Sequence, residues 1–230
     1  MLLAVSLAFG LMPGFAWLIF YLGEDPHAEP KRLIALTFLA GVAFGFFAIV
    51  VEELWNGGAA QIGVQEFSIL SLVVLALIEE FMKFTAAYFA IGKSPVLSDP
   101  IDAMIYMVVA AMGFATLENI GAISNISLAP FAPHTALIVA AFQTASLRFV
   151  GATLLHALTS AIVGYHWALG IVRKKIVKNL AIGFIIATAL HTFFNYLILD
   201  YGSGIYVIVF LVIVGFFVLN DFEKLKVKVA

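Results

Sequence analysis

Residues 67–92 read FSILSLVVLALIEEFMKFTAAYFAIG. A helix needs about 20 mostly apolar residues to cross a bilayer, and this run has the length. Three charged side chains, Glu79, Glu80 and Lys83, sit near its middle. An ionisable group at the bilayer centre costs at least about 2.5–3.5 kcal/mol on insertion scales, so each one needs a partner or a task. The rest of the chain resembles the apolar part of this run. Of 230 residues, 63% are hydrophobic and 11% charged, whereas a soluble domain has about 45–50% and 25%. The sequence therefore predicts an all-α, polytopic transmembrane helix bundle, integral to the cell membrane and embedded in its lipid bilayer. This composition excludes a secreted or cytosolic enzyme and a disordered tail. A net charge of −2 offers no field for nucleic acid. With no cysteine, thiol nucleophiles, disulfides and thiolate metal sites are excluded.

Further spans are expected at 2–22, 33–51, 102–123, 149–172, 179–199 and 203–220, giving about seven crossings with 67–92. A stretch at 135–148 is too short to cross alone and is expected as a short or re-entrant helix. The first span has no Lys or Arg ahead of it and is read as a span, not a cleaved signal peptide. No repeat or linker is visible, so residues 1–230 are read as one domain. Ten of the 12 Lys and Arg lie between spans or at the C-terminus: Lys31 and Arg32, Lys93, the group Arg173, Lys174, Lys175 and Lys178, and Lys224, Lys226 and Lys228. Segments 53–66, 124–134 and 200–203 carry none. The positive-inside rule then puts the N-terminus outside and the C-terminus in the cytoplasm. Glu52, Glu53 and Glu66 are read as a solvated outer loop.

Lys83 and Arg148 are the two cations that topology leaves unexplained. Glu79, Glu80, Glu118, His156 and His191 also lie within apolar spans. Counted from the cytoplasmic helix ends, Glu79 lies about 20 Å deep and His191 about 18 Å. Glu118, His156 and Asn195 each lie about 24 Å deep. Four spans thus bring polar groups to one slab. Glu79 and Lys83 are i,i+4 and share a helix face, so Lys83 is placed to neutralise or position Glu79. Glu80 points about 100° away, towards backbone or a neighbouring helix. His191 and Asn195 are also i,i+4 and project together. Two carboxylates and two imidazoles at one depth suit hydrolysis. A carboxylate takes a proton from water, and an imidazole or amide stabilises an oxyanion. Taken singly, an intramembrane residue such as His156 or Asn195 is more often an interhelical hydrogen-bonding device. The Glu79–Glu80–Lys83 triplet is not read so, because pairing leaves one carboxylate over. HExxH, GxSxG and GxGD are all absent.

The residues that remain resemble the PrsW family of intramembrane proteases, relatives of the CAAX-processing endopeptidases. Its EExxK motif matches Glu79, Glu80 and Lys83, and its FxxxE matches Phe114 and Glu118. Upstream stands the DPxD-like stretch Asp99-Pro100-Ile101-Asp102. Arg148 and His156 follow, then HxxxN as His191 and Asn195. The opening Pro13, Tyr21, Asp25, Glu29 and Pro30 is also similar. Ala103 and Met107 depart from the family, which often has glycine there. The resemblance implies an endopeptidase whose partners are membrane-protein substrates, such as a single-span anti-sigma factor. It assigns catalysis to Glu79 as general base aided by Glu118, with His191 and Asn195 on the oxyanion. His156 would be a further ligand or orienter, and Glu80, Lys83 and Arg148 would support these groups. Glu79, Glu118, His156 and His191 also form an oxygen and nitrogen set that Zn2+ accepts, so glutamate-type and metal-assisted hydrolysis both stand. The alternatives are a proton-coupled transporter using the same Glu, Lys and His groups, or a silent scaffold binding partner helices. Substrate identity and oligomeric state are not read from the sequence.

Overall fold

A computed structural model of the chain describes residues 2–92, 94, 97, 99–126, 133–202 and 204–226. Lys93, Lys228 and the Ser127 of an Asn-Ile-Ser tripeptide lie outside the described residues. Among those described there is no strand. The helices are α1 (Leu2–Leu22), α2 (Lys31–Gln61), α3 (Ile69–Ile91), α4 (Asp102–Ser124), α5 (His134–Val150), α6 (Ala152–Val172), α7 (Ile176–Tyr201) and α8 (Ile205–Lys226). Among the described residues, six helical stretches are long and apolar enough to cross a membrane, with α5 and α6 counted as one. Helix α3 has the length, at 23 residues, but carries the three charges that mark it out. With α3 included, a helix stands at each of the seven expected spans.

The bundle is built around α4. Of its most apolar stretch 83% is buried inside the protein, against 28% for those of α1, α2 and α8. It packs against α1, α2, α3, α5 and α6, while α6 joins it to α7 and α8. Lipid tails provide no hydrophobic drive between helices, so the contacts rely on small and hydroxyl side chains that let backbones approach. Gly41 of α2 and Gly113 of α4 face each other's helices, and a Cβ on either would run into the carbonyl oxygen of Ala110 or Phe38. Gly164 of α6 lies against Ala103 and Met104, where a Cβ would come 2.6 Å from Met104 Cα. The small residue absent at Ala103 is thus supplied by its neighbour. Large apolar side chains such as Leu3, Ile19, Phe47, Phe89, Ile185 and Phe216 point outward, where lipid would cover them.

Two helices outrun the expected spans. Helix α2 continues about three turns past residue 51: Glu52-Glu53-Leu54-Trp55 favours helix, the chain carries it through Gly57-Gly58, and it ends ahead of Gly63, at φ 77°. Trp55 Nε1 then bonds Ser71 Oγ at 3.1 Å, tying α2 to α3. Glu52 and Glu53 are therefore helical and not in a loop, with Glu52 half-buried. Helix α8 runs on to Lys226, whose ammonium bonds Glu24 at 2.8 Å and Glu223 at 2.7 Å. The short stretch expected at 135–148 is α5, which runs beside α1. Phe142 meets Phe9 edge-on, and Phe149 stacks on Trp17 with centroids 5.0 Å apart. Trp17 Nε1 also donates to the Phe149 carbonyl at 2.8 Å. Gly151, at φ −110° and ψ −105°, is the single break between α5 and α6.

Candidate active site

Four helices bring the intramembrane polar groups to one place. Helix α3 supplies Glu79, Glu80 and Lys83, α4 supplies Glu118, α6 supplies His156 and α7 supplies His191. Glu80 and Lys83 are fully buried, with Lys83 Nζ donating to Glu80 Oε1 at 2.7 Å. The same oxygen accepts from Thr159 Oγ1 at 2.9 Å and from His191 Nδ1 at 2.8 Å. Lys83 thus pairs with Glu80 at i,i+3, not with Glu79 at i,i+4. Both spacings bring helix neighbours within reach, and the donors arriving from α6 and α7 fix Glu80 as the acceptor.

Each imidazole is fixed by a carboxylate on one nitrogen. Glu80 takes the Nδ1–H of His191, so the lone pair of its neutral ring is on Nε2. His156 Nδ1 accepts from Lys83 Nζ at 3.0 Å, so its Nε2–H donates to Glu118 Oε2 at 2.9 Å. The remaining nitrogens, His191 Nε2 with its lone pair free and His156 Nδ1 already bonded to Lys83, both lie beside Glu79. Glu79 Oε2 lies 3.6 Å from His191 Nε2 and 3.8 Å from His156 Nδ1. This oxygen is buried and has no hydrogen-bond partner. Glu79, His156 and His191 offer one ligand atom each, all within 4.8 Å of one another. Glu118 is not in that group. It is held by His156 and by Arg148 Nη2 at 2.9 Å. Arg148 also binds Asn119 through Nε.

The site faces a cavity of about 580 Å³. Glu79, Glu118, His156, His191, Asn195 and Arg148 supply its polar lining, and Leu72 and Leu75 of α3, Leu147 of α5 and Ile198 of α7 its apolar walls. Such a cavity, apolar with a few convergent polar groups, has the character of a ligand-binding site. Glu66 and Phe67, from the α2–α3 connection, also line it. The residues fit a metal. One carboxylate oxygen and two imidazole nitrogens are a set that zinc accepts, the Glu79 oxygen is unpartnered, and both histidines carry the supporting carboxylate that metal-bound histidines usually have.

Every polar residue expected in the slab borders or supports this site. Sequence reasoning missed three kinds of neighbour. Thr159 shares a face with His156 at i,i+3, and that spacing was the available signal. Asn119 directly follows Glu118 and is fully buried, its amide donating to Thr153 Oγ1 at 3.1 Å. Glu52 lies within electrostatic range of Glu79, Glu118 and Lys83. Its Oε1, like Asn56 Oδ1 one turn on, is buried without a partner. The i,i+4 spacing of Glu52 and Asn56 in an otherwise apolar helix could have pointed to them.

Comparison with known proteins gives a consistent result. The sequence model of the family described as "PrsW family intramembrane metalloprotease" matches residues 29–219. Protease PrsW of Geobacillus kaustophilus (strain HTA426) is 29% identical over 192 residues, covering 83% of this chain and 78% of that protein. Protease PrsW of Bacillus subtilis (strain 168) is 26% identical over 226 residues, covering 94% of each. No solved structure matches.

Proposed function

This chain belongs to the PrsW family of intramembrane proteases, and we propose that it cuts a single-span membrane protein, such as an anti-sigma factor, using water activated by Glu79. One transmembrane domain carries the whole activity, with the N-terminus outside and the C-terminus cytoplasmic. The observation that carries the reading is the convergence of Glu79 Oε2, His156 Nδ1 and His191 Nε2 among residues that line the cavity. A water seated among them gives its proton to the Glu79 carboxylate as its oxygen attacks the scissile carbonyl carbon. The carbonyl oxygen takes up negative charge, and the Asn195 amide, on the cavity wall one turn from His191, donates to it. Glu79 then passes the proton to the departing amine and returns to carboxylate. Glu80 and Glu118 hold the imidazoles in the tautomers that put their unprotonated nitrogens beside Glu79. A zinc ion would be held by Glu79, His156 and His191. When bound it would polarise the carbonyl and make water more acidic.

The test is cleavage in liposomes. Purified wild-type protein should cut a single-span substrate near its outer membrane face, and Glu79→Gln, folded equally well, should not. A Glu79→Gln protein that cleaves at the wild-type rate removes the assignment.

A further inference from the structure

The Lys83 ammonium lies on the lone pair that a metal would need. His156 Nε2–H is committed to Glu118 at 2.9 Å, which leaves Nδ1 as the nitrogen that can face Glu79. Lys83 Nζ already donates to that Nδ1 at 3.0 Å. An imidazole nitrogen has one in-plane lone pair, so it cannot accept from an ammonium and coordinate a cation at once. Lys83 is fully buried, anchored by Glu80 at 2.7 Å, and its Nζ lies 5.6 Å from the centre of the Phe114 ring. Glu80 and the face of Phe114 together would hold an ammonium that has let go of His156.

We propose that Lys83 is the resident cation of this centre, and that a divalent metal enters the Glu79–His156–His191 group only by displacing the Lys83 ammonium from His156 Nδ1. This rests on the reading that these three residues form the reactive centre. It adds that the lysine of the EExxK sequence sets how tightly the centre takes a metal. Affinity is held down by the charge-assisted hydrogen bond that must first be broken, and a hydrogen bond to a charged group accounts for about tenfold or more.

The experiment titrates Zn2+ alone into chelator-stripped full-length protein in detergent, against a chromophoric competitor, so the readout is affinity and not activity. Lys83→Gln and Lys83→Met should bind zinc at least about tenfold more tightly than wild type. Lys83→Gln keeps a donor for Glu80 and serves where Lys83→Met does not fold. Lys83→Arg, which keeps the cation, should not tighten binding. Arg148→Gln removes a cation that lies on Glu118 and on no free lone pair, so its gain should fall well short of that of Lys83→Gln. His191→Ala should abolish the site. The proposal is overturned if Lys83→Gln binds no tighter than wild type, or if Arg148→Gln tightens binding as much, since the effect would then be general charge repulsion. It also falls if His191→Ala binds as wild type does, because the zinc is then elsewhere. None of these results touches the proteolytic reading, which the Glu79→Gln cleavage assay decides on its own.

Discussion

The buried pair Lys83–Glu80 lends itself to a double-mutant cycle. Both side chains are fully buried and 2.7 Å apart. Removing one partner of such a pair leaves the other charge uncompensated and costs about 3–5 kcal/mol. Glu80→Leu should lie at the top of that range, because it strands Lys83 and also takes the acceptor from His191 Nδ1. Lys83→Met should lie at the bottom, because Glu80 keeps Thr159 and His191 as donors. In the double variant no charge is stranded, and replacing a buried pair by apolar groups is often neutral or better. Thr159 keeps the Leu155 carbonyl at 3.1 Å, so the main remaining cost is the bare His191 Nδ1–H, about 1–3 kcal/mol. The double variant should therefore be more stable than Glu80→Leu alone, with a coupling energy of at least about 3 kcal/mol. Chemical unfolding in mixed micelles measures all four corners. Losses that add within about 0.5 kcal/mol would refute the reasoning. Proteolysis should stay absent in the double variant, since the tautomer of His191 is no longer fixed.

Three further outcomes follow from the same geometry. Gly41→Ala should destabilise the protein by about 1–3 kcal/mol, because its methyl meets the Ala110 backbone, whereas Gly57→Ala, with nothing within 4 Å, should be neutral or gain up to about 1 kcal/mol; thermal melting distinguishes them. Asn195→Ala should lower kcat about 10²–10³-fold with an unchanged melting temperature, since its amide serves the cavity and makes no hydrogen bond among the described residues. Because the chain has no cysteine, single cysteines report sidedness directly. Gly58→Cys should react with an impermeant thiol reagent added outside the cell, and Arg173→Cys should react only after permeabilisation.

The charges in apolar runs were legible because their cost forces a reason for each. Glu79, Glu80, Lys83, Glu118, Arg148, His156 and His191 all reach the site for that reason. Lys83's partner was not legible. Spacing permits both Glu79 and Glu80, and donors from α6 and α7, far away in sequence, decide between them. Thr159 and Asn119 were hidden because neutral polar residues are common in spans and usually pack helices. Glu52 was hidden by an assumed helix end. Residues 52–61 are polar enough to look like a loop, but they hold α2 together for three more turns with Trp55 pinned to Ser71. The long C-terminal end of α8 escaped notice similarly, since its lysines look like a solvated tail until Lys226 is seen to bridge Glu24 and Glu223.

Residues that act as one unit show losses that do not multiply. Cleavage rates in liposomes for Glu79→Gln, His191→Ala and the double variant test that directly, once each is shown to melt like wild type. If Glu79 and His191 serve a single water, each single variant should lose about 10²–10⁴-fold in kcat, and the double variant should be no slower than the slower single. Losses that multiply in the double variant, or a single variant cleaving at the wild-type rate, would contradict a shared centre.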